Sequence, residues 1–278
     1  MPFAQVNDIR LYYETHGEGE ALMLLSGTGM SGDHWHVFQV PAFSQAYQVI
    51  TFDYRGVGQS DKPDAPYSTR LFAADAVGLL DALGVERAHV MGHSMGGRVA
   101  QWIALDHPER VRSLILSSSG PGQYAPEVDV VRGVPLKQAV EMIEMGYEQW
   151  WQAHFADDDF MFPPEVRAAQ PELLAQRRQM AANARPPLRP YLRHVIARQQ
   201  HETTAMLDQI EAPTLVIAGS KDTTVGGTGN HFEAARVLAE RIPHAELVVM
   251  EGAAHGYLWQ MPDEANRIVL DFLRRVKE

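Results

Sequence analysis

The sequence predicts an α/β protein built on a mostly parallel, eight-stranded sheet flanked by helices. Two patterns carry this reading. Runs at 3–6, 9–15, 21–26, 47–53, 88–93, 112–118, 214–219 and 245–250 have strand length and an apolar or alternating composition. They alternate with stretches of helical periodicity, the order that gives a parallel sheet covered on both faces. A third observation divides the chain. Between 121 and 209 the strand rhythm stops, and a helical pattern is broken by Pro163-Pro164, Pro171, Pro186-Pro187 and Pro190. The expected organisation is a core of residues 1–120 and 210–278, with a helical cap of residues 121–209 inserted after the sixth strand.

The elements follow in order. Asn7-Asp8 is a turn signal, so 3–6 and 9–15 form a hairpin at an antiparallel edge. A helix over 70–83 carries Leu71, Leu79, Leu80 and Leu83 on one side and ends at Gly84. A second helix, 96–106, stops before Pro108, and a third, 230–241, is followed by Pro243. Pro262 opens the last helix, 262–277. In the 121–209 insert, Trp150, Trp151, Phe155, Phe160, Met161, Phe162 and Met180 supply bulk, most of it for the insert's own core.

Composition narrows the function. The 278 residues are 45% hydrophobic and 21% charged, which is globular. The absence of cysteine removes disulfides, thiolate metal sites and a thiol nucleophile. A formal charge of -11 argues against a nucleic-acid surface. No apolar run approaches the ~20 residues of a membrane span. Met1 to Asp8 lacks the basic region and apolar core of a signal peptide, so a cytoplasmic enzyme is the expectation.

The chemistry is concentrated at Gly92-His93-Ser94-Met95-Gly96-Gly97, between a strand and a helix. A serine with glycines two residues either side has the pattern of a nucleophile elbow. The turn is so sharp that its neighbours collide unless they lack Cβ, and the hydroxyl stands clear of the sheet. A serine also needs a base, and the base needs an orienting group. Asp222 follows the 214–219 strand, at the ligand-facing end of a parallel sheet. His255 lies in the small-residue loop after 245–250. Ser94, Asp222 and His255 thus occur in the chain order of such a triad, each at a strand end.

This constellation resembles the α/β-hydrolase superfamily, and the resemblance covers nearly the whole chain. Leu22 to Trp35 looks like the strand and oxyanion loop, and Asp53-Tyr54-Arg55-Gly56-Val57-Gly58-Gln59-Ser60 like the D-x-R-G-x-G-x-S segment. Gly219 to Asp222 resembles the acid strand, and Gly252 to His255 the histidine loop. The look is closest to small carboxylesterases and lactone hydrolases, including the 3-oxoadipate enol-lactonase group. The resemblance implies the α/β-hydrolase fold and an oxyanion hole from the amides of Thr28 and Met95. Ser26-Gly27 stands where that family has His-Gly, which leaves the support of the loop to other groups.

The residues expected to meet substrate are Gly29, His34, Trp35, His93, Met142, Trp150 and Tyr257. Three other motifs are set aside. His34 and His36 in Asp33-His34-Trp35-His36 lack further ligands at metal spacing. Asp157-Asp158-Asp159 lacks the Gly and Glu of a calcium loop. Thr223 to Asn230 is Gly-rich without a phosphate-loop ending. The expected function is cleavage of a small-molecule carboxylic ester or lactone through an acyl-enzyme, with no metal or organic cofactor. Two alternatives stay open: a C–C bond hydrolase of the same fold, and a ligand receptor that retains the triad.

Overall fold

The computed structural model describes residues 2–125, 132–153, 161–223 and 230–276, together with the backbone of 154–156. Asp157-Asp158-Asp159, Phe160, the Phe155 side chain and 224–229 of the Gly-rich loop lie outside the described residues.

The strands are β1 (Phe3–Val6), β2 (Ile9–His16), β3 (Ala21–Leu25), β4 (Gln48–Phe52), β5 (Ala88–His93), β6 (Val111–Ser117), β7 (Thr214–Gly219) and β8 (Ala245–Met250). They form one sheet in the order β1-β2-β4-β3-β5-β6-β7-β8. β2 pairs antiparallel with both β1 and β4, and every other neighbouring pair is parallel. The fold expected from the sequence is therefore the fold observed.

The apolar runs are continuous because the parallel strands are buried on both faces. Every residue of β3, β5 and β7 is buried. Alternate residues feed two separate cores. Leu114 and Leu116 of β6 pack under α2 (Thr69–Ala82), α3 (Met95–Asp106) and α9 (His231–Arg241), while Ile115 joins α1 (Gln39–Phe43), α10 (Tyr257–Gln260) and α11 (Pro262–Arg275) on the other side. In α2 the inward stripe is Phe72, Ala76, Leu79 and Leu80, at helical spacing. Leu71 and Leu83, expected on that stripe, sit half-buried at its margins because the helix phase turns them aside. The Ser68 hydroxyl caps α2 by accepting from the Leu71 amide at 3.0 Å, and Gly84, with φ 68°, ends it.

Between β6 and β7 run α4 (Leu136–Met145), α5 (Tyr147–Ala156), α6 (Pro164–Ala169), α7 (Pro171–Asn183) and α8 (Leu188–Gln199). Met142, Trp150, Trp151, Ala181, Tyr191 and Val195 make a separate apolar cluster there, and Met30 of the β3 loop packs against it. Among the described residues no helix is long and apolar enough to cross a membrane.

Several histidines are buried and held neutral. Burial pushes His34 down to about 3 and His194 and His231 down to about 4, and drives His93 and His201 well below the ordinary value. An unfolded histidine titrates near ~6.5. Below that pH the unfolded chain binds protons that the folded chain refuses, so stability is present above it and is lost on acidification. The urea midpoint is expected to fall steadily between about pH 6.5 and pH 4. A midpoint that stays constant across that window would contradict the neutral burial of these side chains.

Candidate active site

Ser94 closes β5 and caps α3 with φ 58° and ψ −119°. A positive φ on a residue with a Cβ is strained and persists only when its surroundings impose it. The glycines make room for it. A Cβ on Gly92 would enter the Gly96 carbonyl, and a Cβ on Gly96 would enter the carbonyl of Leu25 on β3. The elbow is also tied to β6 and the residues just after it: the Ser94 amide donates to Ser117 O at 2.8 Å, and the Ser119 hydroxyl donates to Ser94 O at 2.8 Å. Gly27 lies alongside, where its own Cβ would stand 3.5 Å from Ser94 Cβ and 4.0 Å from Oγ.

β7 delivers Asp222 and β8 delivers His255 to the same place. His255 Nδ1 is 3.1 Å from both carboxylate oxygens of Asp222, and both side chains are buried. Burial alone would push the Asp222 carboxyl up, but His255 and His231 outweigh it and hold it well below the ordinary carboxylate range. His231 is the member that sequence reasoning missed. It opens α9, its Nδ1 is 3.4 Å from Asp222 Oδ1, and its ring stacks on His255 with centroids 4.9 Å apart. The sequence carried one clue, a histidine directly after the helix cap Asn230, which accepts from the Glu233 amide at 3.1 Å.

The β3 loop is braced from three directions. The Met30 amide donates to Gly27 O at 3.2 Å, closing a turn with Gly29 at φ 71°. Ser26, standing in place of the family histidine, supplies the support that was in question. Its hydroxyl accepts from the Trp35 indole at 3.0 Å and donates to Ser31 O at 3.1 Å. Asp53 Oδ1 accepts from the Gly32 amide at 2.8 Å. His194, on α8, accepts the Gly29 amide at Nδ1 (3.4 Å) and donates from Nε2 to Arg55 O (2.8 Å), which fixes its neutral tautomer.

A family model described as the alpha/beta hydrolase fold matches residues 20–262. The chain belongs to the α/β-hydrolase family. It is 30% identical to the protein named carbamate hydrolase RutD from Azorhizobium caulinodans, over 100% of both chains. It is 33% identical to the 2-hydroxy-6-oxononadienedioate/2-hydroxy-6-oxononatrienedioate hydrolase of Burkholderia vietnamiensis, over 96% of this chain and 92% of that one. Among solved structures, the enol-lactonase of Burkholderia xenovorans superposes with a TM-score of 0.83 at 27% identity, covering 98% of this chain and 100% of the other. The three names share hydrolysis and differ in the bond.

In this α/β-hydrolase the other expected site residues are dispersed. Gly29 faces the insert, since a Cβ there would lie 2.8 Å from the Tyr191 ring and 3.5 Å from Trp151. Met95 is fully buried at the first position of α3, where helix amides lack internal partners. Thr28 occupies the turn, its hydroxyl oxygen buried. His34 is buried between Trp35 and Trp259, each with its ring centroid 5.6 Å away. His93 lies against His255 at 4.9 Å and shares Ser117 Oγ with Tyr257, at 2.8 and 2.6 Å. Met142 and Trp150 sit in the core of the insert, and the Trp150 indole donates to Glu141 at 3.3 Å. Trp35, Tyr257 and Trp150 therefore have their polar atoms engaged within the protein.

Gly96→Ala is expected to destabilise the fold by roughly 3 kcal/mol, the upper end for overpacking, because backbone on both sides blocks the new methyl. Urea unfolding checks this, and a loss below about 1 kcal/mol would show that the elbow can relax.

Proposed function

We propose that this protein hydrolyses a carboxylic ester or lactone through an acyl-enzyme formed on Ser94. The observation that carries the reading is the buried Asp222 carboxylate gripping His255 Nδ1 at 3.1 Å from both oxygens, with the His255 ring 4.9 Å from that of His93, the residue before the serine of the strained elbow. With Nδ1–H donated to Asp222, the lone pair on Nε2 is left for the Ser94 proton. Ser94 Oγ attacks the acyl carbon as His255 takes that proton and then returns it to the leaving alkoxide. A water deprotonated by His255 then releases the acid.

The developing oxyanion is assigned to the amides of Met95 and Thr28. Met95 contributes the positive end of α3, and each such donor is typically worth ~10²–10³ in rate. The Gly29 amide is turned to His194, which supports Thr28 as the partner on that loop. Tyr191 and Trp151 approach Gly29 from the insert, so this side would meet the acyl or alcohol group. The reading needs no cofactor. The enol-lactonase likeness supports the lactone half of the assignment.

Stopped-flow release of p-nitrophenol from p-nitrophenyl butyrate tests it. A burst followed by steady turnover is expected, and Ser94→Ala is expected to abolish both, leaving at most the ~10³ over water that an oxyanion hole supplies. Turnover unaffected by that change removes the proposal. Fast cleavage of a vinylogous diketone with inert esters would instead favour the C–C reading, which the Burkholderia vietnamiensis relative's name motivates. Saturable binding without turnover would make the protein a receptor.

The shared carboxylate gives a second test. His231→Ala is expected to lower kcat by between about ten- and 10²-fold, because Asp222 and with it His255 lose a lateral constraint on their geometry. His231→Asn keeps a nitrogen donor near the Nδ1 position and is expected to recover most of that loss. Equal kcat in all three proteins would show that His231 only fills space.

A further inference from the structure

A second cluster of polar side chains lies at the sheet edge, outside the triad. The two-residue period of β2 places Tyr12, Glu14 and His16 on one face. β4 is paired beside it, with Thr51 opposite Glu14. The short 3₁₀ turn Gly32–Trp35 then brings His36 over the same spot. Glu14 Oε2 is 3.1 Å from His16 Nε2 and 3.7 Å from His36 Nε2, and the two imidazole centroids are 5.2 Å apart. Three donor atoms, one from each residue, thus lie within 4.8 Å of one another.

We propose that Glu14, His16 and His36 form a site for a divalent transition-metal ion of the zinc class, fastening β2 to the loop after the Gly27–Met30 turn. Bonds of ~2.0–2.1 Å in a tetrahedron put neighbouring ligand atoms about 3.3 Å apart, between the two separations seen here. Two imidazoles and one carboxylate suit zinc, cobalt, nickel or copper, whereas calcium and magnesium prefer all-oxygen cages. The side chains are 35%, 29% and 28% exposed for His16, His36 and Glu14, so water can complete the coordination.

Outer groups orient the ligands. The Tyr12 hydroxyl donates to Glu14 Oε1 at 2.5 Å, while Oε2 is hydrogen-bonded to His16 Nε2 at 3.1 Å, a bond that the ion would replace. His36 Nδ1 lies 4.0 Å from Asp33 Oδ1, an electrostatic neighbour of the ring rather than a hydrogen bond to it. His36 Nε2 also lies 3.3 Å from Thr51 Oγ1, a contact that the ion would replace.

The proposal departs from the sequence expectation, which set His34 and His36 aside as metal ligands. The two do not act as a pair: His34 turns inward to Trp259, and His36 turns outward to partners about twenty residues earlier. None of the proposed ligands belongs to the Ser94–Asp222–His255 group. The site therefore does not depend on the ester-hydrolase reading, and chelators are expected to leave turnover unchanged.

The experiment is a zinc chloride titration of the chelator-treated protein, followed by calorimetry and by thermal unfolding, with cobalt absorption reporting the ligand set. One ion is expected to bind in the micromolar range and to raise Tm. Glu14→Gln, His16→Ala and His36→Ala are each expected to weaken binding by about tenfold or more and to remove the Tm shift. Tyr12→Phe is expected to weaken it less. Circular dichroism and metal-free Tm values equal to the parent's show that the variants are folded. No zinc uptake by the parent, or uptake that all three ligand variants retain, overturns the assignment.

Discussion

The site depends on one constraint, the left-handed backbone of Ser94. At φ 58° the chain reverses from β5 into α3 within a single residue, lifting the hydroxyl off the carboxyl edge of the sheet. The cost of that conformation is borne by packing rather than by the serine. Gly92 and Gly96 allow backbone from β3 and α3 to close around the turn, and Ser117 of β6 and Ser119 just after it hold the turn in place. Strain of this kind survives only where neighbouring elements over-determine it. The same closeness sets the Gly27 turn against Ser94, so the loop that faces the serine is placed by the demand that creates the elbow.

Electrostatics complete what sterics begin. Asp222 is fully buried, and a lone buried carboxylate is costly. Two imidazoles offset that cost, and together they hold it ionised against burial. An orienting acid of this kind must stay charged when its histidine becomes an imidazolium, and a deeply depressed carboxyl meets that condition. His231 contributes from α9, reaching the same carboxylate oxygen as His255 and stacking on its ring. The carboxylate is thus clamped by two elements rather than one.

The insert is coupled to this centre through hydrogen bonds as well as apolar contact. His194 of α8 ties the Gly29 amide to the Arg55 carbonyl, and Arg55 is itself locked to Asp75 by bonds of 2.6 and 2.7 Å. Burial among Tyr54, Tyr67 and Phe72 keeps His194 neutral, which is the state its two partners require. A protonated His194 would present a donor to the Gly29 donor and break the link. The position of the loop beside Ser94 is therefore shared between the core and α8.

The sequence by itself determined the strand order of roles and the local chemistry. Period and composition located all eight strands to within a residue or so, because buried parallel strands are short, β-branched and bounded by turn residues. The glycine spacing around Ser94 and the places of Asp222 and His255 were legible because a sharp turn and a strand end leave marks in adjacent residues. Contacts between distant residues leave no such mark. That His231 would share Asp222, that Ser26 would brace Trp35, that His194 would hold Gly29 and that His36 would meet Glu14 and His16 was decided only when the sheet and its loops closed. Each of these pairings joins separate elements, and its geometry follows from how those elements pack.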